Sequence, residues 1–190
     1  DGSDAQRGDA TGENMIERYC TGNFLAGQRL IYASASGLPV GRYIFKAVAQ
    51  KGADGGVIEL FANDDRSPVT SVKVLRETEV ATDVLDQDLT VGVESGLNNA
   101  CQWVSFADVA LEYQSPYMLL EEAVAASDTL TYGEDKGGAL KKAADEARVL
   151  LVSGEARERM AAYHTLLDAM EQYRFCLLYT SPSPRDKRQS

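Results

Sequence analysis

Arg42-Tyr43-Ile44-Phe45-Lys46-Ala47-Val48-Ala49-Gln50 decides the fold of the first half of the chain. Tyr43, Phe45, Ala47 and Ala49 alternate with Arg42, Lys46 and Gln50, the two-residue period of a strand with one buried face. Working outward, Gly37-Leu38-Pro39-Val40-Gly41 reads as a turn that joins this strand to another over Gln28 to Ser36. Val57 to Ala62 is a short apolar strand that runs into Asn63-Asp64-Asp65-Arg66-Ser67-Pro68, a loop signal. Val69 to Val74 and Glu79 to Leu85 are further strands. Asp86-Gln87-Asp88 then turns the chain into Leu89, Val91 and Val93, which alternate with Thr90, Gly92 and Glu94. A last long strand follows Asn98-Asn99, with Trp103, Ala107, Val109, Leu111 and Tyr113 on one face. Roughly seven or eight short strands separated by turns predict an all-β antiparallel sandwich. Its expected core holds Tyr43, Phe45, Leu89, Val91, Trp103, Val109 and Leu111.

From Ser115 the period becomes helical. Ser115-Pro116 offers an N-cap followed by proline at the first helical position. Leu119, Leu120, Ala123, Val124 and Leu130 make one apolar stripe, which Tyr132-Gly133 breaks. Leu140, Ala143, Ala144, Ala147, Leu150 and Leu151 make a second, ending at Ser153-Gly154. Ala156, Met160, Tyr163, Leu167 and Met170 make a third, running to about Phe175. Three antiparallel helices with short connections predict an all-α three-helix bundle over residues 115–175, after a sandwich over residues 13–114.

The string Cys176-Leu177-Leu178-Tyr179-Thr180-Ser181-Pro182-Ser183-Pro184-Arg185-Asp186 has no apolar period. It resembles one reading frame of the transposase adapter used in short-read library preparation. Residues 176–190 are therefore expected to be foreign to the fold, with the helical half truncated before them. Residues 1–12 read as a partial or disordered segment.

The chain carries a net charge of −10. Without the tail, where Arg185, Lys187 and Arg188 outnumber Asp186, the balance falls to about −12. Such a domain repels phosphate backbones, which excludes nucleic acid as the expected partner. No apolar run approaches the roughly 18 residues that span a bilayer. Cys20 and Cys101, the cysteines outside the tail, can be one disulfide or two buried thiols.

Four stretches carry a family resemblance: Ser36-Gly37-Leu38-Pro39-Val40-Gly41-Arg42-Tyr43, Leu60-Phe61-Ala62-Asn63-Asp64, Asp88-Leu89-Thr90-Val91-Gly92-Val93, and Gln102-Trp103-Val104 through Asp108 to Leu111 and Tyr113. In this order and spacing they resemble bacterial carbohydrate-binding modules with the galactose-binding-like jelly-roll fold. The resemblance covers roughly residues 13–114. The helical half resembles the small three-helix domains that follow such modules as spacers. The resemblance implies a non-catalytic module of a larger secreted or cell-surface protein, extracellular in location, whose partner is a glycan. Those relatives carry an Asp-Asn pair after the Trp-Val stretch, where this chain has Ala107-Asp108. Any calcium or ligand role of that pair is thereby put in question here.

A sugar site needs an aromatic face for the ring and polar groups for its hydroxyls. The candidates are Trp103, Tyr32 and Tyr19 for stacking, and Asn63 and Asp64 at a strand end for polar contacts. Trp103 shares a face with Val109 and Leu111, so core packing competes with the stacking role. Asn63 and Asp64 equally suit a solvated turn. Asp54, Asp64, Asp86, Asp88 and Asp108 could supply hard oxygen ligands for Ca²⁺, with Asp108 the candidate metal ligand, although no calcium-loop spacing is present. The chain shows no nucleophile elbow, zinc-type spacing, phosphate loop or dinucleotide fingerprint. Its one histidine, His164, lies beside a helical stripe. Catalytic chemistry is not expected. The acidic charge points to a neutral polysaccharide, and the alternatives are a ligand-free structural spacer or a non-catalytic piece of a glycoside hydrolase.

Overall fold

The described residues form eight strands: β1 (Ile16–Tyr19), β2 (Arg29–Ala35), β3 (Gly41–Lys51), β4 (Ile58–Ala62), β5 (Asp65–Pro68), β6 (Arg76–Val84), β7 (Leu89–Ser95) and β8 (Trp103–Gln114). The computed structural model describes residues 15–52, 56–97, 101–130 and 138–180, with side chains to Phe175 in the last stretch. The strands form two four-stranded antiparallel sheets, ordered β1-β8-β3-β6 and β2-β7-β4-β5. The pairing is nested: β4 pairs with β5, β3 with β6, β2 with β7 and β1 with β8. The chain divides into two compact units, one ending at Tyr113 and the next beginning at Gln114.

The decisive strand reads as its pattern dictates through Ala49, whereas Gln50, expected on the open face, is fully buried and donates its Nε2 to Ser105 Oγ at 3.0 Å. Tyr43, Phe45, Ala47 and Ala49 are buried in one core with Ile58, Leu60, Ala62, Val80, Leu89 and Val93, and Val91 packs partly buried against it. On the other face Arg42 grips Asp83 through two hydrogen bonds of 2.8 and 3.2 Å, and Lys46 lies 3.0 Å from Glu112.

The last strand departs from its expected face. Val104 and Phe106, not Trp103, enter the core. Asp108 sits in the left-handed region at φ 49° and shifts the alternation by one residue. Beyond it Tyr113 meets Tyr43 at 5.1 Å between ring centroids, while Val109 and Leu111 stay about half exposed. A strictly two-residue period cannot reveal such a shift. The run Asp65–Pro68, expected as loop, is an edge strand, because Asn63 and Asp64 alone close the hairpin between Ala62 and Asp65. Val69 to Val74, expected as a strand, contributes one isolated bridge between Lys51 and Val72.

The second unit holds α1 (Pro116–Asp128), α2 (Gly138–Ser153) and α3 (Ala156–Thr180). Each packs against the other two. The Ser115 hydroxyl accepts the Met118 amide at 3.3 Å with Pro116 in the first turn, as the sequence predicts. The third stripe is shifted: Leu166 is buried and Leu167 exposed, so the face runs Met160, Tyr163, Leu166, Met170, Tyr173. Helix α3 continues past the expected end at Phe175 to Thr180. Residues 1–12, Asp54, Asn98-Asn99, Tyr132-Gly133 and residues 181–190 lie outside the described residues.

Candidate functional site

Asn63 ends β4 in the left-handed conformation, φ 49°, which asparagine tolerates better than most residues. Its backbone amide donates to the Thr90 carbonyl at 2.8 Å, and its Oδ1 accepts from the Thr90 amide at 2.9 Å. Its Nδ2 donates to the Asp88 carbonyl at 3.1 Å. The side chain thus extends the β4–β7 ladder by one residue and pins the turn before β7 against the β4–β5 hairpin. The Leu38 amide holds that turn from the other side through the Gln87 carbonyl at 3.0 Å.

Between these two turns opens a cavity of about 520 Å³. Asn63, Asp64, Asp83, Asp86, Asp88 and Thr90 line it, together with Arg29 from the start of β2. The Arg42 pair neutralises Asp83, and Arg29 is the one cation among the lining residues, so the field remains acidic. Asp64 is exposed at its rim.

Arg29 connects this cavity to the outer face of its sheet. Its Cζ lies 5.5 Å from the Tyr32 ring centroid and 5.0 Å from that of Phe61. Arg66 covers Phe61 at 5.3 Å and ion-pairs with the buried carboxylate of Glu94. Strand register places Tyr32, Gly92, Phe61 and Arg66 in one row across four strands. Gly92 is obligatory there, because a Cβ would stand 2.2 Å from the Ile31 carbonyl oxygen and 2.8 Å from Tyr32 Cα. Phe61 is fully buried under its two guanidinium groups, whereas Tyr32 is 58% exposed and presents an open ring.

Of the residues expected at a site, the structure brings Asn63 and Asp64 into one cavity and joins Tyr32 to it through Arg29. Both amide atoms of Asn63 are engaged within the protein, so this residue shapes the cavity. Trp103 lies elsewhere, on the other sheet, and is 2% exposed, with its ring against Gly52. A stacking platform needs an open ring face, so the stacking role for Trp103 is corrected to packing. Tyr19 pairs with Trp103 on β1, away from the cavity. Asp108 is an exposed residue of β8, and among the described residues no three acidic, histidine or cysteine side chains converge as a metal site. Asp108 sits where the alternation of β8 shifts, in the left-handed region at φ 49°. Cys20 and Cys101 are free thiols donating to the carbonyls of Gly22 and Trp103. Sequence reasoning missed Arg29, Phe61 and Arg66. Their signal is cross-strand register, which the sequence of one strand does not carry.

No family model matches the sequence, and no curated protein does. Solved structures similar to the chain include the C-terminal domain of EclA, a sugar-binding protein, at 9% identity and a TM-score of 0.43, covering 54% of this chain and 81% of that one. The chain is also similar to CBM35 of Abf62 from Cellvibrio japonicus, at 9% identity and a TM-score of 0.32, over 47% of this chain and 71% of that one. A third is TmCBM61 in complex with β-1,4-galactotriose, at 19% identity and a TM-score of 0.32, over 48% and 69%.

Proposed function

We propose that the β unit is a non-catalytic glycan-binding module of the galactose-binding-like jelly-roll type, part of a larger secreted or cell-surface protein. The observation that carries this reading is the exposed Tyr32 ring joined by Arg29 to the polar cavity of Asp64, Asp86 and Asp88. An open aromatic face takes the C–H side of a sugar ring, and adjacent charged and polar groups take its hydroxyls. The nested strand order supports the jelly-roll assignment, an architecture that lectin domains use. The ligand is a neutral glycan: the cavity carboxylates repel sulfated or uronic sugars, and Arg29 alone does not offset them. Affinity is modest, because the cavity is open and one ring supplies the stacking.

Calorimetric titration of the chain with neutral oligosaccharides tests this. Tyr32→Ala and Asp64→Ala each weaken binding about tenfold or more, equivalent to about 1.4 kcal/mol, with the melting temperature unchanged. Tighter binding to an anionic polysaccharide than to every neutral glycan, or affinity indifferent to both substitutions, contradicts the site.

A further inference from the structure

We propose that strand β2 pairs with β2 of a second copy, antiparallel about a two-fold axis at Ala33, joining two sheets into one of eight strands. The Thr90 amide and carbonyl both engage Asn63. They therefore face β4, and by alternation Leu89, Val91 and Val93 direct theirs to β2. Their register partners Ala35, Ala33 and Ile31 are used within the sheet. Tyr32 and Ser34 then direct N–H and C=O groups to the opposite side, where no described strand pairs with β2.

The other three sheet edges carry features that discourage added strands. β6 holds Arg76, Glu77, Glu79 and Asp83, β5 holds Asp65 and Arg66 and ends in Pro68, and β1 is four residues long with Glu17 and Arg18. Among the described edge strands, β2 alone runs six residues without a charge, from Leu30 to Ala35. In a chain of net charge −10, a second copy meets repulsion over most approaches, and this run offers a neutral one.

The run is also self-complementary. A two-fold at Ala33 sets Tyr32 opposite Ser34 of the copy, so their outward groups satisfy each other twice. The two Arg29 residues go to opposite ends. Ile31 and Val109 are 38% and 49% exposed, and with Ala33 they line an apolar groove of about 280 Å³ beside this edge. Symmetric pairing brings the two grooves together and removes apolar surface from water. Backbone pairing leaves the Tyr32 ring on the sheet face, so the proposal stands independently of the glycan reading.

Sedimentation velocity of the chain over a wide concentration range tests the proposal. The expected result is a reversible monomer–dimer equilibrium. Ala33→Lys, which sets two like charges face to face, and Ser34→Pro, which removes an outward N–H, each weaken the dimer about tenfold or more. Circular dichroism melts of both variants establish that they fold. Amide exchange in the unsubstituted protein gives a second readout: Tyr32 and Ser34 amides gain protection as concentration rises, while Ile31 and Ala33 amides are protected throughout. A chain that stays monomeric, a dimer that persists in both folded variants, or Tyr32 and Ser34 amides indifferent to concentration overturns the pairing.

Discussion

Asn63 shows how one residue fixes the shape of a site. Its amide replaces a length of ladder, and its positive φ lets the hairpin close in two residues. Asn63→Ala removes both side-chain bonds and leaves a β-carbon in the left-handed region. It should destabilise the β unit by about 1–2 kcal/mol, read as a lower urea midpoint. Tyr43 makes a different prediction. Burial, with Tyr113 beside it, raises its pKa above the usual value of 10, while its hydroxyl donates to the Pro39 carbonyl at 3.0 Å. A raised folded-state value means the folded form keeps its proton longer than the unfolded form. The corresponding stability is complete below pH 10 and is lost as pH rises from there through the raised value. Thermal melts across this alkaline range should fall more steeply for the parent protein than for Tyr43→Phe. Equal slopes would remove Tyr43 as the cause.

At the scale of elements, legibility followed whether a pattern was local. β3 could be read from Arg42 to Ala49 because one face meets the core without interruption, whereas the burial of Gln50 depends on Ser105 of β8, which its own strand does not carry. The first two helices could be read for the same reason, and Ser115-Pro116 marked its own cap. Strand β8 could not, because the Asp108 shift moves Trp103 off the core face and Val104 and Phe106 onto it. Helix α3 allowed two apolar faces one residue apart, and contact with α1 and α2 selected the one containing Leu166. The cavity was half legible: Asn63 and Asp64 announce a turn, but Arg29 reaches it from a strand distant in sequence. Asp108 yields the prediction at this scale. Glycine adopts φ 49° without the cost borne by aspartate, so Asp108→Gly should stabilise the β unit by up to about 1 kcal/mol. Calcium should leave the melting temperature of both proteins unchanged. A calcium-dependent rise lost in the variant would restore Asp108 as a ligand.

For the molecule as a whole, composition set the exclusions and topology set the opportunities. The acidic balance argues against nucleic acid and, at the cavity, against anionic sugars. No helix among the described residues is long and apolar enough to cross a membrane. At Tyr32 the sandwich presents an exposed aromatic ring beside a polar cavity, and the glycan reading depends on that adjacency. Its most direct test is a two-dimensional amide NMR titration of the chain with neutral oligosaccharides. The account predicts saturable shifts grouped at Arg29, Tyr32, Asp64 and Thr90, with Trp103 and the helices unmoved. Shifts centred on Trp103 or on the helical unit, or none with any neutral glycan, would contradict it.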